Sequence, residues 1–143
     1  MKKHLSILML LAALLVPWAS RAQEIVTIGE GTTTSTYLPA YTLYSNTLSE
    51  QIYTAEEIGM AGTITSIAFY NGGTTKTPNI KLYLVNTSQS EFASTTSWLP
   101  VAASDLVFEG DVTFTASQWT VITLTTPFSY DGASRCGSPT NCC

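Results

Sequence analysis

Hydrophobic and polar residues alternate with a period of two along much of the chain. In residues 79–87, Ile80, Leu82 and Leu84 fall on one side of the pattern, with polar or amphipathic residues between them. Because successive side chains of a β-strand point to opposite faces, this alternation predicts a strand with one buried face and one solvated face.

Residues 105–115 repeat the alternation over a longer stretch. The apolar residues that would share its inner face are Leu106, Phe108, Val112 and Phe114. Gly110 falls on the same face, and a glycine inside a strand pattern favours a bulge, a bend or a turn. We therefore expect this strand to be irregular near Gly110.

Further strands are expected over residues 24–28, 49–54, 62–70 and 119–124. Residues 62–70 are apolar on both faces, which is typical of a central strand. Trp119 opens a β-branched run that Pro127 would end, so we expect Trp119 in the core.

Only residues 55–59 have a helical pattern. Thr54 can cap a first turn, and Gly59 can stop it. Glu56 and Glu57 suit the positive N-terminal end of a helix better than they suit a catalytic pair. One short helical turn among several short strands predicts an all-β fold, an antiparallel β-sandwich of jelly-roll or immunoglobulin-like type.

The first 22 residues have the pattern of a secretory signal peptide. Lys2 and Lys3 precede an apolar run over residues 5–16, and residues 20–22 supply the small side chains for cleavage before Gln23. A membrane-spanning helix needs about 20 residues, so a retained anchor is the less favoured alternative. We expect an exported protein, at the cell surface or released, with no membrane insertion after cleavage. The expected divisions are a signal peptide over 1–22, a β-sandwich module over 23–132 and a tail over 133–143.

The tail contains every cysteine of the chain, namely Cys136, Cys142 and Cys143. Residues 133–143 show no alternation and no large apolar residue, so we predict a disordered tail and a module that lacks its last strand or strands. No disulfide framework can hold residues 23–132, because they contain no cysteine.

Cleavage before Gln23 would restrict the possible chemistry. It removes the only histidine, His4, and with it the nucleophile systems and zinc sites that require histidine. The remaining 10 acidic residues face only Lys76, Lys81 and Arg135, which excludes the basic patch that nucleic acids require. We predict a non-catalytic protein with no nucleic-acid partner.

Carboxylates leave two alternatives open. Glu109 and Asp111 would share a strand face and could in principle hydrolyse a glycosidic bond, although acidic residues on a solvated face are ordinary in an acidic protein. Asp105, Asp111 or Asp131 could hold a structural calcium ion, although no compact acidic loop is present. No other cofactor is predicted.

Aromatic residues are the candidate ligand-binding residues. Tyr37, Tyr41 and Tyr44 cluster in sequence around Pro39, and Trp98 lies in a Ser/Thr-rich loop. Exposed rings can stack on sugar faces or anchor a protein partner. The alternative is that these rings only cover the edge of the sandwich.

Four segments together resemble a known kind of module. They are SNTLSEQIYTAEEIG (45–59), GTITSIAFYN (62–71), KLYLVNTSQSEF (81–92) and DLVFEGDVTFTASQWTVITLTTPFSYDG (105–132). The set is similar to an N-terminal β-sandwich module of secreted and surface proteins from Bacteroidetes, found with fibronectin type III-like or gingipain-adhesin-like modules. In such modules the segment after residues like 130–132 runs into another apolar strand, so the resemblance implies that this chain is truncated.

The resemblance implies an extracellular accessory or adhesion role and carries no catalytic residues. The sequence therefore predicts an exported binding or adhesion module for a glycan or an extracellular protein, with downstream domains in a longer parent protein. The alternative is a structural spacer ahead of a missing domain, and a carboxylate-dependent glycoside-active enzyme is the least favoured reading.

Overall fold

Antiparallel β-strands form most of the regular structure. The computed structural model describes residues 23–29, 34–138 and 140–142, so the predicted signal peptide lies outside the described residues. The elements are β1 (Thr47–Ser49), β2 (Ile52–Tyr53), α1 (Ala55–Ile58), β3 (Gly62–Asn71), β4 (Asn79–Tyr83), β5 (Val85–Thr87), a 3-10 helix (Ala103–Asp105), β6 (Leu106–Asp111), β7 (Gln118–Tyr130), β8 (Arg135–Gly137) and β9 (Thr140–Cys142). The described strand pairings are all antiparallel, which confirms the all-β class. The jelly-roll or immunoglobulin-like sandwich type stays a prediction.

Three chain segments, β1–β2, β4–β5 and β8–β9, run side by side. They form a four-stranded sheet in the order β1-β9-β4-β6 and a three-stranded sheet in the order β2-β8-β5. In both sheets the β8–β9 segment lies between the other two. Where the sheets meet, the Ser138 N–H donates to the Gln51 carbonyl at 2.9 Å. β3 and β7 form a separate pair.

The core contains apolar side chains from the β3–β7 pair and from β4, β6 and β8. Ile80, Leu82 and Leu84 are buried, which confirms the alternation over residues 79–87. Ile122 of β7 lies in the same cluster as Ile80, and Phe108 of β6 packs against both clusters of the core. Each fully buried side chain of this kind stabilises the fold by about 1.5–3 kcal/mol.

β6 is shorter than the expected strand over 105–115 and ends at Asp111. Its register with β4 shifts directly after Leu82, where Val107 is the extra residue of a bulge. Val107 is therefore buried, whereas Leu106 and Phe108 are only half-buried. The bulge lies before Gly110 and not at it, because Gly110 pairs in regular register.

β7 is longer than expected because Pro127 does not end it. Its pairing with β3 jumps from Thr123 to Phe128, so Pro127 lies in an irregular stretch where its missing N–H is not needed. β3 pairs only with β7 among the described strands, so the prediction of a central strand over 62–70 is wrong. The apolar residues on both of its faces reflect one buried face and one exposed face.

The helical turn is confirmed at the predicted place. The Glu57 N–H donates to Thr54 Oγ1 at 3.2 Å, and the Thr54 N–H donates to the Glu57 carboxylate at 2.7 Å, which is a capping box. The hydrogen bonds that the Thr54 N–H and the Thr54 hydroxyl donate to the Glu57 carboxylate lower the pKa of Glu57. Gly59 ends α1 in the left-handed conformation with φ of +76°, where a side chain would be strained. No described helix is long and apolar enough to cross a membrane.

The expectation of a disordered tail over 133–143 fails for its described part. The Asp131 carboxylate accepts from the Ser134 N–H at 2.7 Å and turns the chain into β8, which pairs with β2 and β5. Cys136, Gly137, Ser138 and Thr140 are all buried. Their side chains are too small to give an apolar pattern in the sequence. Small side chains nevertheless fit a strand that has a neighbouring strand on each side.

The expected first strand over residues 24–28 is not formed. This stretch has no regular secondary structure, is exposed, and has no ladder partner among the described strands. The predicted strand over residues 49–54 is present as two short strands, β1 and β2, separated by Glu50 and Gln51.

Candidate functional site

The structure brings the three predicted tyrosines together. The ring centroids of Tyr37 and Tyr41 are 5.0 Å apart, and those of Tyr41 and Tyr44 are 5.6 Å apart. Tyr41 lies in the middle and is half-buried, whereas Tyr37 and Tyr44 are each 64% exposed. Tilted and edge-to-face contacts of this kind stabilise aromatic pairs by about 0.5–1.5 kcal/mol beyond the area they bury. We call these three rings the tyrosine cluster.

The backbone beneath the tyrosine cluster is held by the body of the protein. Ala40 is buried in the core with Ile80. The Ser49 hydroxyl donates to the Pro39 carbonyl at 2.8 Å, and Lys76 Nζ donates to the Ala40 carbonyl at 3.0 Å. These contacts fix the segment between Tyr37 and Tyr41, so the rings start from a positioned backbone.

The polar ends of the tyrosine cluster are available to a ligand. None of the three phenolic hydroxyls has a hydrogen-bond partner among the described residues. The Lys76 ammonium beneath the segment is used by the Ala40 carbonyl. The cluster therefore offers ring faces and neutral hydroxyl groups, which is the chemistry that recognises a neutral, hydroxyl-rich molecule.

Trp98 is held separately. Its side chain is 51% exposed and makes no ring contact with the tyrosine cluster in the described part of the chain. The next residue, Leu99, is buried, and its N–H donates to the Glu50 carboxylate at 2.8 Å. Burial raises the pKa of Glu50, and the hydrogen bond from Leu99 partly opposes that rise. An open groove of about 400 Å³ adjoins this loop and is lined by Leu99 and Phe128 among others.

The prediction that Trp119 lies in the core is wrong. It is 60% exposed on β7, and its ring lies 5.7 Å from that of Tyr70 on β3 in an edge-to-face arrangement. The sequence shows no signal for this pair, because the two residues are far apart in the chain and the run from Trp119 is apolar on both faces. Only the register of β3 with β7 shows which face is outside.

The carboxylates singled out in the sequence are engaged by neighbouring groups. Glu109 forms an ion pair with Lys81 at 3.0 Å, and Asp111 accepts from the Asn79 side-chain amide at 2.9 Å. Within the described residues no three His, Cys, Asp or Glu side chains come together as a metal would require. The calcium candidates are therefore not brought into one group: Asp105, Asp111 and Asp131.

Comparison of the chain with protein-family models, curated proteins and solved structures finds no match. The resemblance to Bacteroidetes surface modules thus stays a prediction. The exposed aromatic side chains and the contacts that hold their backbone are the features of this chain that bear on its function.

Proposed function

We propose that the chain after residue 22, with β8 and β9 included, forms an exported, non-catalytic module that binds glycans through the tyrosine cluster. The observation that carries this proposal is the group of three touching rings, whose outer members are exposed and whose hydroxyls have no partner among the described residues. Aromatic rings with one apolar face and one polar handle suit a sugar, which also has an apolar face and a hydroxyl edge.

The charge of the molecule favours a neutral or weakly charged ligand. Of the basic side chains after residue 22, Lys76 and Arg135 donate to backbone carbonyls and Lys81 pairs with Glu109. Acidic groups outnumber basic ones, so a strongly anionic ligand would be repelled. Neutral glycans are therefore the ligands that we favour.

The test is a glycan array followed by calorimetric titration of residues 23–143. Tyr37→Ala and Tyr44→Ala should each weaken binding about tenfold or more, because exposed rings at the centre of a site carry much of its free energy. The matched controls are Tyr37→Phe and Tyr44→Phe, which keep the stacking ring and should retain most of the affinity. Trp98→Ala reports whether the separate tryptophan loop contributes.

Equal affinity of the alanine variants and the unsubstituted protein for every glycan bound would overturn the role of the tyrosine cluster. Binding to no glycan would overturn the proposal as a whole and leave the structural spacer as the better explanation. Thermal melts of each variant must match, because Tyr41 is half-buried and disruption of its neighbours could loosen the segment.

A further inference from the structure

A second aromatic surface lies on the outer face of β3 and β7. The antiparallel register places Tyr70 opposite Trp119 and Ala68 opposite Val121. The same face continues to one further pair of small polar residues. We call these six residues the β3–β7 platform: Ser66, Ala68, Tyr70, Trp119, Val121 and Thr123.

The apolar part of the platform is exposed. Trp119 is 60% and Val121 64% exposed, and Ala68 between them is exposed as well. The inward neighbours on the same strand, such as Ile122, are buried, so the strand has a core face already. Trp119 and Val121 thus form a small exposed apolar surface on the outer face, with the polar residues Ser66 and Thr123 at one end.

The platform contains no charged side chain and has hydrogen-bonding groups at both ends. Ser66 and Thr123 lie at one end, where the Gln23 side-chain amide donates to the Ser66 hydroxyl at 3.4 Å. At the other end, the Trp119 indole N–H and the Tyr70 hydroxyl have no hydrogen-bond partner among the described residues. An uncharged face in an acidic protein selects a neutral occupant with its own hydroxyl groups.

The size of the platform decides between two neutral occupants. Four residue steps along a strand and two strands side by side give a footprint of roughly 13 by 10 Å. A stable protein–protein interface buries about 800 Å² on each partner, far more than this footprint supplies. A second copy of the chain is therefore disfavoured, and a short oligosaccharide fits.

We propose that the β3–β7 platform is a second binding site, for a neutral oligosaccharide of two or three sugar units, with one sugar stacked on Trp119. The following sugar unit then contacts the apolar side chains of Ala68 and Val121. The hydroxyl groups of Ser66 and Thr123 lie beyond them and can bind its polar edge. This site does not depend on the tyrosine cluster, since it shares no residue with it.

The experiment follows the fluorescence of a single tryptophan. Trp98→Phe leaves Trp119 as the only tryptophan after residue 22. The probes are cellotriose, xylotriose and laminaritriose, with trigalacturonate as the charged control. We expect at least one neutral trisaccharide to shift the Trp119 emission to the blue and to protect it from acrylamide quenching, with no response to trigalacturonate.

Calorimetry with the same trisaccharide then compares single substitutions in the unsubstituted protein. Trp119→Ala should weaken binding at this site about 10- to 30-fold, whereas Trp119→Phe should retain most of the affinity. Tyr44→Ala is the matched control for the tyrosine cluster and should leave the Trp119 response unchanged.

Any of the following three outcomes overturns the inference. If no neutral trisaccharide changes Trp119 emission, the platform is not a sugar site, whatever the tyrosine cluster binds. If calorimetric binding of the trisaccharide is lost with Tyr44→Ala and retained with Trp119→Ala, the proposed function stands and the second site does not. If sedimentation shows a dimer that Trp119→Ala dissociates, the occupant is a second copy of the chain.

Discussion

Thr140 is the position where the structure departs most sharply from the sequence pattern, and its replacement by valine tests that departure. Thr140 lies at the start of β9, is 1% exposed, and its Oγ1 has no hydrogen-bond partner among the described residues. Valine has nearly the same shape and is equally β-branched, so Thr140→Val exchanges an unpaired hydroxyl for a methyl group without a change in strand propensity.

The expected sign is unusual, because the substitution should stabilise the protein. A buried hydroxyl without a partner destabilises a fold by about 1–3 kcal/mol relative to an apolar group of the same size. We therefore expect Thr140→Val to raise the free energy of unfolding by about 1–2 kcal/mol. For a domain of this size that corresponds to an increase in Tm of about 3–10 °C. Ser138→Ala should act in the same direction, since Ser138 Oγ is also buried and unpaired.

Urea denaturation followed by tryptophan fluorescence measures the change, and an unaltered m value shows that the folded state is otherwise the same. The matched control is Thr125→Val on the exposed side of β7, which should change the free energy of unfolding by less than about 0.5 kcal/mol. A Thr140→Val protein with unchanged stability would show that residues 140–142 do not pack into the sheet. A loss of stability would show that the hydroxyl has a partner.

Three further predictions concern the same region. Burial raises the pKa of the Cys136 thiol to about 11, so the thiol is un-ionised and enclosed at pH 8. In a Cys142→Ser/Cys143→Ser protein, a thiol reagent at pH 8 should label Cys136 only as the protein unfolds. Rapid labelling without urea would contradict this. Gly137→Ala should lower stability by about 1–3 kcal/mol, because the added Cβ would collide with Leu99 Cδ1, and a melt identical to that of the unsubstituted protein would refute the packing. Glu50 has a raised pKa, so its contribution to stability is present below its ordinary pKa of 4.5 and is lost as the pH rises through the folded-state value. Glu50→Gln keeps an acceptor for the Leu99 N–H and has no carboxyl group to ionise. The loss of stability with pH should therefore be smaller in this variant, as measured by urea titrations from pH 4 to 7.

The parts of the fold that could be predicted from sequence depend on local or strongly apolar signals. The capping box of α1 involves residues three apart, so Thr54 and Glu57 together indicate it without any tertiary information. The alternation of Ile80, Leu82 and Leu84 carries enough apolar area to decide which face of β4 is buried. The tyrosine cluster is similarly local, because its members lie within eight residues of one another in sequence.

The parts that could not be predicted depend on the partner strand. Residues 119–124 are apolar on both faces, so no pattern within them says that Ile122 is inside and Trp119 outside; the pairing with β3 decides it. In β8 and β9 the inward side chains are Cys136 and Thr140, whose small area gives no periodic signal. Their place in the sheets is set by the neighbouring strands, β2 and β5 for β8 and β1 and β4 for β9.

The β8–β9 segment also affects the candidate binding residues, through Leu99. Gly137 has no side chain, and Leu99 occupies the space above it, where the Glu50 carboxylate holds the Leu99 N–H. The backbone that carries Trp98 is therefore fixed by a residue of β8. A substitution that displaces β8 should change the position of Trp98 before it changes the tyrosine cluster, whose backbone is held by Ser49 and Lys76. In a Trp119→Phe protein, Gly137→Ala should thus shift Trp98 emission while Tyr44-dependent glycan binding persists, and simultaneous loss of both would show that the two regions are not independently held.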